Sequence, residues 1–160
     1  MPLSSSALYR LQYQHETIRE LVKGFDETQL KQVINPGKWS MFENIAHLTA
    51  YQPAFLQRMR LIEQQDHPAF ERYVADNDPA FHDCCKQGIK ELLDDLATQR
   101  FIIHKHISGL NETILRRTGT HPKYGNMAIA QWTEFFLLHE SHHLFTIFML
   151  AAELRKTLQQ

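Results

Sequence analysis

The residues most able to do chemistry in this 160-residue chain are two histidines four positions apart, His139 and His143. On a helix, this spacing places both side chains on one face, one turn apart. Apolar residues repeat around them at intervals of three and four, which predicts a helix with one buried side. The repeat consists of Trp132, Phe136, His139, His143, Ile147, Leu150 and Leu154. Because imidazoles in an apolar interior need polar partners, and neutral imidazole is the commonest protein ligand of metals, the pair indicates a metal site.

Two other interpretations of this pair stay open. The chain contains ten histidines, so both could be hydrogen-bonded core residues that bind no ligand. Residues 139–143 also fit H-E-x-x-H, the zinc metalloprotease pattern in which Glu140 would be the general base. A peptidase would need a long substrate cleft and usually a second domain or sheet edge, and the sequence offers neither. His142 projects about 100° away from His143 on a helix and is not expected to share the site.

Composition narrows the class of protein. With 43% hydrophobic and 22% charged residues over 160 positions, the chain is typical of one soluble domain, which we expect to span residues 1–160. A formal charge of −1 provides no electrostatic attraction to nucleic acid or to an anionic membrane. No uninterrupted apolar segment approaches membrane-spanning length, and the N-terminus lacks a secretory signal. The only cysteines, Cys84 and Cys85, are adjacent, which excludes a disulfide scaffold and favours a cytoplasmic location.

Two amphipathic helices are predicted in the first half of the chain. The first follows the candidate caps at residues 4–6, and His15 lies near its apolar stripe as a reserve ligand. The second begins with a capping box formed by Ser40 and Glu43. His47 lies at the flank of the apolar line of this second helix. Periodicity alone therefore gives His47 a weaker case as a ligand than the pair in the last helix.

Two more helices are predicted in the second half. The third is expected to run from Asp78-Pro79 to about Gly109, and the fourth is expected to begin after Asn126 as its cap. Residues 64–78 and 109–126 are expected to be connections, and no segment predicts a strand. The sequence therefore predicts an all-α four-helix bundle with long crossover connections, a fold in which metal sites are built between facing helices.

Two motifs in this order resemble those of the DinB/YfiT-like superfamily. The first is Trp39-Ser40-x-x-Glu43-x-x-Ala46-His47-Leu48, and the second, about ninety residues later, is His139-x-x-x-His143. The resemblance covers essentially the whole chain in length, helix order and motif placement. It implies a four-helix bundle in which His47, His139 and His143 are the three metal ligands. The resemblance, rather than the periodicity, is what makes His47 a metal-ligand candidate equal to His139 and His143.

The chain differs from many relatives at two positions. Glu140 stands where they carry Asp, and Thr146 stands where they carry Gln. Neither position is a metal ligand, so the resemblance still implies metal binding, with different contacts around the ligands and the substrate.

The resemblance implies a metal-dependent enzyme that acts on a small-molecule substrate. A site with three histidines and an open position is catalytic in type, because structural zinc sites have four protein ligands. Relatives of known activity are thiol-dependent transferases or isomerases that use a low-molecular-weight thiol, and others are presumed hydrolases. Zinc or nickel is favoured as the divalent metal, with iron or manganese as alternatives, since three histidines serve all of them. No catalytic residue is assigned, and a non-catalytic, stress-related metal-binding or interaction protein is the alternative.

The last helix carries a second apolar line, which predicts a homodimer because a helix that is apolar nearly all round must be covered on most sides. This line consists of Phe135, Leu138, His142, Phe145 and Met149, extended by Leu137 and Leu144. Only Glu134, Glu140 and Ser141 remain as polar positions. The alternative is that one of the two long connections folds over this surface within one subunit.

Overall fold

A computed structural model of the chain describes residues 3–159. Its helices are α1 (Ser5–Tyr13), α2 (Thr17–Leu21), α3 (Glu27–Lys31), α4 (Met41–Gln64), α5 (Pro79–Cys84), α6 (Ile89–Ser108), α7 (Glu112–Leu115) and α8 (Ile129–Leu158). Short 3-10 turns cover Gln14–Glu16 and Ala75–Asn77. Strands β1 (Thr118–His121) and β2 (Gly125–Ala128) pair as an antiparallel hairpin just before α8.

Four long helical segments form the bundle, which confirms the predicted fold. They are α1 with α2, then α4, α6 and α8. The segment α1 packs mainly on α6 and α8, and α4 packs on the same two helices. The first and second bundle helices therefore lie diagonally, and the long connections between the helices allow this arrangement.

Side-chain caps begin the first two bundle helices where the sequence predicts. The Ser4 hydroxyl accepts a hydrogen bond from the Ala7 amide at 3.0 Å. At the start of α4, the Ser40 hydroxyl accepts from the Glu43 amide at 3.1 Å, and the Glu43 carboxylate accepts from the Ser40 amide at 2.7 Å. This reciprocal capping box fixes the first turn of α4 and so sets the position of His47 in its second turn.

The predicted third helix is interrupted. Residues from Pro79 form only the short helix α5, which ends at Cys84, and α6 begins at Ile89 with Gly88 as its N-cap. Gly88 has low helix propensity and no side chain to cap with, so the chain changes direction there rather than continuing as one helix.

The prediction that residues 109–126 contain no strand was wrong, because this segment holds α7, β1 and the first half of β2. Each strand has four residues without clear polar and apolar alternation, so periodicity gave no signal. Gly119 makes the hairpin fit, since a Cβ there would lie 2.7 Å from the Phe70 ring and 2.8 Å from Ile62. Asn126 lies within β2 and does not cap the last helix. That helix begins three residues later, at Ile129.

A layer of polar side chains, which we call the polar layer, divides the apolar core into two halves. One half surrounds Ile45 and Ile147, and the other surrounds Phe55 and Phe136. All four bundle segments contribute to the layer between them. Its members are Gln14 after α1, His47 and Gln52 on α4, Arg100 on α6, and His139, Glu140 and His143 on α8.

The outer face of α8, which we define as Leu138, Phe145 and Met149, is exposed at 57%, 64% and 52% respectively. No connection within residues 3–159 covers it, so the predicted apolar surface exists on this chain. Leu137 and Leu144, predicted to extend it, are instead buried in the core. Glu140, predicted as a polar surface position, is also buried, at 1% exposure.

By length and composition alone, α8 is also able to cross a membrane, which corrects the prediction that no segment approaches that length. The same test is passed by the core helix of a soluble protein, and α8 contributes Trp132, Phe136 and Ile147 to the core of this bundle. The observation is therefore weak support for membrane insertion.

Candidate metal centre

The bundle brings together the three histidines that the resemblance implies as ligands. His47 on α4 faces His139 and His143 on α8, and we call these residues the three-histidine cluster. Nε2 of His139 lies 3.0 Å from Nε2 of His47 and 3.2 Å from Nε2 of His143. One nitrogen of each ring therefore points to the same small space. Within residues 3–159, no carboxylate or thiol joins them.

Asn44 fixes the orientation of one ring of the cluster. Its side-chain amide nitrogen donates to the Ser40 carbonyl at 2.8 Å, so its Oδ1 is left facing Nδ1 of His143, also at 2.8 Å. Because an amide oxygen can only accept, Nδ1 of His143 carries the proton. Nε2 of His143 therefore keeps its lone pair for a ligand, which is the usual role of a hydrogen bond behind a metal-binding histidine.

The arrangement fits a metal ion better than it fits hydrogen bonding among the rings. In a tetrahedral zinc site, nitrogen ligands at the usual bond length lie about 3.3 Å from one another, close to the separations in the cluster. Three converging nitrogens cannot satisfy one another as neutral imidazoles, since each ring has one donor and one acceptor. A cation in the space between them would use all three lone pairs.

Burial keeps the cluster in the form that binds metals. Loss of hydration is the main cause that lowers the pKa of His139 to about 4, of His47 to about 3 and of His143 to about 2, with smaller contributions from neighbouring imidazoles. All three side chains are therefore neutral at physiological pH. Neutral imidazole is the ligand form, because protonated nitrogen has no lone pair to donate.

Glu140 has a different task from the one that the H-E-x-x-H pattern suggests. Its carboxylate forms a buried ion pair with Arg100 of α6 and accepts a hydrogen bond from Gln14 at 2.8 Å. Arg100 in turn donates to Gln52 of α4 at 3.1 Å. This group, which we call the Arg–Glu network, links all four bundle segments through one carboxylate and one guanidinium. Glu140 is thus committed to Arg100 and Gln14, about 100° around α8 from His139, and is not available as a general base.

The remaining candidate histidines lie outside the cluster. His15, the reserve ligand, lies in the turn between α1 and α2, where burial lowers its pKa to about 4. Its Nδ1 is buried without a partner, but it is not among the three converging rings. His142 is exposed on α8 and only its ring edge approaches His143, as the helical geometry predicts.

The cluster lies at one end of an open cleft of about 710 Å³, which we call the histidine cleft. Aromatic rings surround the cluster there. Trp39 lies 5.0 Å from the His47 ring, Tyr51 lies 5.2 Å from the His139 ring and Tyr73 lies 5.8 Å from the His47 ring, between centroids. The connection after α4 and the turn of the β-hairpin also line the cleft. The cleft thus gives a small molecule access to the three imidazoles.

The sequence profile of the DinB superfamily matches residues 10–147, most of the chain. This chain belongs to the DinB superfamily. The match extends from α1 to Ile147 in the middle third of α8, so it includes all three members of the cluster. No curated protein matches this DinB-superfamily sequence.

Three solved structures share the fold of this DinB-superfamily chain. YfiT from Bacillus subtilis has a TM-score of 0.79 and 16% identity, covering 92% of this chain and 85% of YfiT, and is described as a probable metal-dependent hydrolase with an unusual four-helix bundle topology. The four-helix bundle protein TT2238 has a TM-score of 0.65 and 18% identity, over 89% and 95% of the two chains. An uncharacterised protein from Clostridium difficile 630 has a TM-score of 0.67 and 12% identity, over 94% of each chain.

Asn44 and Arg100 were not predicted as members of polar clusters, although the sequence around each contains a signal. Asn44 is a polar residue inside the apolar start of α4 and lies one turn before His47. Arg100 interrupts the apolar line of α6, between Leu96 and Ile103, at a spacing that places it on the buried face. A polar side chain on a buried stripe needs a partner, and in both cases the partner lies on α8.

Proposed function

We propose that this DinB-superfamily protein binds one divalent metal through His47, His139 and His143 and acts as a metal-dependent enzyme on a small molecule in the histidine cleft. The observation that carries the proposal is the convergence of three Nε2 atoms, 3.0 and 3.2 Å apart, beside an open cleft and without a fourth protein ligand. Structural zinc sites use four protein ligands, whereas catalytic sites keep one position open.

The protein's own residues hold and shape this site. His143 is oriented by Asn44, and the aromatic rings of Trp39, Tyr51 and Tyr73 provide apolar walls for a substrate and limit the access of water. When bound, a divalent ion would supply Lewis acidity and would lower the pKa of a water or thiol at its open position. The reaction we infer is therefore hydrolysis or transfer of a low-molecular-weight thiol. The description of YfiT as a probable metal-dependent hydrolase supports the first, and the family resemblance supports the second.

Zinc and nickel are the metals we favour, with iron and manganese as alternatives, since a set of three imidazoles is compatible with each. A metalloprotease function receives no support, because the Glu140 carboxylate is committed to Arg100 and Gln14. The non-enzymatic alternative is a protein that binds the metal without turnover.

Assays of metal-loaded and chelated protein would test the proposal. The assays should pair a panel of small esters with a panel of low-molecular-weight thiols and the electrophile monobromobimane. We expect one panel to show activity. Chelation of the metal and the His139→Ala substitution should each abolish this activity, whereas His142→Ala should retain it. Full metal occupancy with no activity in either panel would favour the non-catalytic alternative.

A further inference from the structure

The histidine cleft contains three cationic side chains that have no carboxylate partner. Arg58, Arg72 and Lys123 all line it, with Asp76 as the one acidic residue of the lining. Within residues 3–159, none of the three has a carboxylate oxygen within 4.0 Å, whereas many cations elsewhere on the chain are paired. Those paired with acids include Arg10, Arg19, Lys31, Lys86, Lys90, Arg100, Arg116 and Arg117. The lining of the cleft thus carries three cations against one carboxylate, a net positive charge.

Arg58 is held in place before any ligand binds. Its Nη2 donates to the Glu71 carbonyl at 2.8 Å, and its Nη1 donates to the Tyr51 hydroxyl at 3.4 Å. Its guanidinium carbon lies 5.5 Å from the Phe70 ring and 5.7 Å from the Trp132 ring. Two of its five N–H donors are used in this way, which leaves three for a ligand. A planar guanidinium with a fixed orientation is suited to the two oxygens of a carboxylate or phosphate.

His121 contributes a further donor to the same wall of the cleft. Its Nδ1 accepts from the backbone amides of Lys123 at 3.0 Å and Tyr124 at 3.2 Å. The ring proton of the neutral side chain is therefore on Nε2. Burial and the nearby Arg58 and Lys123 charges lower the pKa of His121, which keeps it neutral. The hairpin turn thus supplies both a cation, Lys123, and a neutral N–H donor.

Tyr51 connects this wall to the three-histidine cluster. Its hydroxyl accepts from Arg58, and its ring lies 5.2 Å from the His139 ring. One side chain therefore separates the cationic part of the cleft from the imidazoles. A small molecule could place an anionic group near Arg58 and its reacting atom near His139, with an apolar part against Tyr51.

We propose that Arg58, Arg72 and Lys123 form an anion-binding wall of the histidine cleft, and that the substrate is a small, partly aromatic or apolar molecule that carries a carboxylate or phosphate. Arg58 makes the direct contact, and the two exposed cations raise the local concentration of the anion. The identity of the reaction rests on the proposed function, but the preference for an anion belongs to the protein without its metal.

Binding to metal-free protein would test this inference, because an anion could otherwise bind the metal itself. The probes are phenylacetate and phenyl phosphate, each compared with the neutral phenylacetamide, and the readout is tryptophan fluorescence, since Trp39 lines the cleft and Trp132 lies beside Arg58. We expect at least one acid to bind about tenfold or more tightly than the amide, as a charge-assisted contact predicts. The more tightly bound acid identifies the anionic group.

Arg58→Gln should remove most of this preference for the acid. Arg60→Gln is the matched control, because Arg60 is an exposed arginine on the same helix outside the cleft, and it should keep the preference. Lys123→Gln, at the exposed hairpin turn, should reduce it about twofold to threefold through loss of long-range attraction. Circular dichroism would establish that each variant is folded. If Arg58→Gln were not folded, Arg58→Lys, which keeps the positive charge but lacks the planar guanidinium, would take its place.

Equal affinities for acid and amide, no binding of either acid, or an unchanged preference in folded Arg58→Gln would overturn the anion-binding wall. These outcomes are independent of metal content. Failure of the metal assays with an intact preference for the acid would instead contradict the proposed function and leave the wall in place.

Discussion

Two buried polar clusters occupy neighbouring faces of α8 at the same level of the bundle, and they differ in how their hydrogen bonds are completed. In the Arg–Glu network, the Arg100 guanidinium and the Glu140 carboxylate satisfy each other, with Gln14 and Gln52 as further partners. In the three-histidine cluster, three Nε2 atoms face one another and cannot all be satisfied by hydrogen bonds among neutral rings.

The difference separates a structural cluster from a ligand site. A buried polar group without a partner is costly, so a completed network needs nothing from outside, whereas an incomplete one is stabilised by a ligand. His139 and Glu140 are adjacent in sequence and differ by about 100° around the helix. That rotation decides which of them belongs to the cleft and which to the core.

The largest effect we expect is on the Arg–Glu network. Glu140→Leu should lower the free energy of unfolding by about 3–5 kcal/mol, because it leaves the Arg100 charge buried and uncompensated. Adding Arg100→Met should recover most of that loss, since an apolar pair of similar volume often replaces a buried ion pair at little cost. Denaturant unfolding of metal-free protein followed by circular dichroism would measure both changes. If Glu140→Leu with Arg100→Met were as unstable as Glu140→Leu alone, the uncompensated charge of Arg100 would not be the cause of the instability.

Local sequence signals predicted the features of the two clusters that depend on a single helix. The capping box at Ser40 and Glu43 and the spacing of His139 and His143 are local, so helix starts and the buried pair could be predicted. The approach of His47 to that pair depends on how two helices pack, which periodicity does not contain. Only the family motif connected His47 to the other two.

The hydrogen bond between Asn44 and His143 should strengthen metal binding. Asn44→Ala should weaken metal binding by about tenfold to a hundredfold, the usual effect of removing such a partner. The folded state should survive, because Asn44 is uncharged and its loss leaves one neutral donor on His143 unpaired. Competition with a chelator of known affinity would measure the change. Thr49→Ala, also buried on α4 but bonded only within its own helix, is the matched control and should bind metal normally.

The pH dependence of stability should also distinguish the two clusters. In metal-free protein, burial lowers the pKa of the three clustered histidines to between about 2 and about 4, from 6.5 in the unfolded chain. Below about pH 6.5, the unfolded state therefore binds protons that the folded state does not, so stability falls as pH falls, by up to about 1.4 kcal/mol per pH unit for each histidine. Replacing the three with leucine should flatten this slope between pH 6.5 and 4.5, measured by denaturant unfolding. An unchanged slope would mean that the rings are not desolvated.

The smallest effect on either cluster is expected from the outer face of α8. We propose that this face forms a homodimer interface, so Phe145→Lys should convert a dimer into a monomer of 18.8 kDa while metal content and unfolding of the bundle change little. Light scattering at micromolar concentration would measure the mass. A wild-type protein that is already monomeric would contradict the proposed dimer. It would not affect the predictions for the two polar clusters.

The hairpin and the Arg–Glu network show why the rest could not be predicted. The strands are short and stabilised by contacts with distant residues, such as the packing of Gly119 against Ile62 and Phe70. Arg100 was visible as a polar residue on an apolar stripe, but its partner on α8 depends on the diagonal arrangement of the bundle. In both cases the deciding contact is far away in sequence.

The most direct test is the metal content of purified protein by elemental analysis. We predict one divalent ion per chain in the wild type, no stoichiometric metal in His47→Ala, His139→Ala or His143→Ala, and full occupancy in His142→Ala. The three-histidine cluster acts as one site, so each of its members should be required equally. Full occupancy in His47→Ala would contradict this prediction, because it would show that α4 and α8 do not converge on one ion.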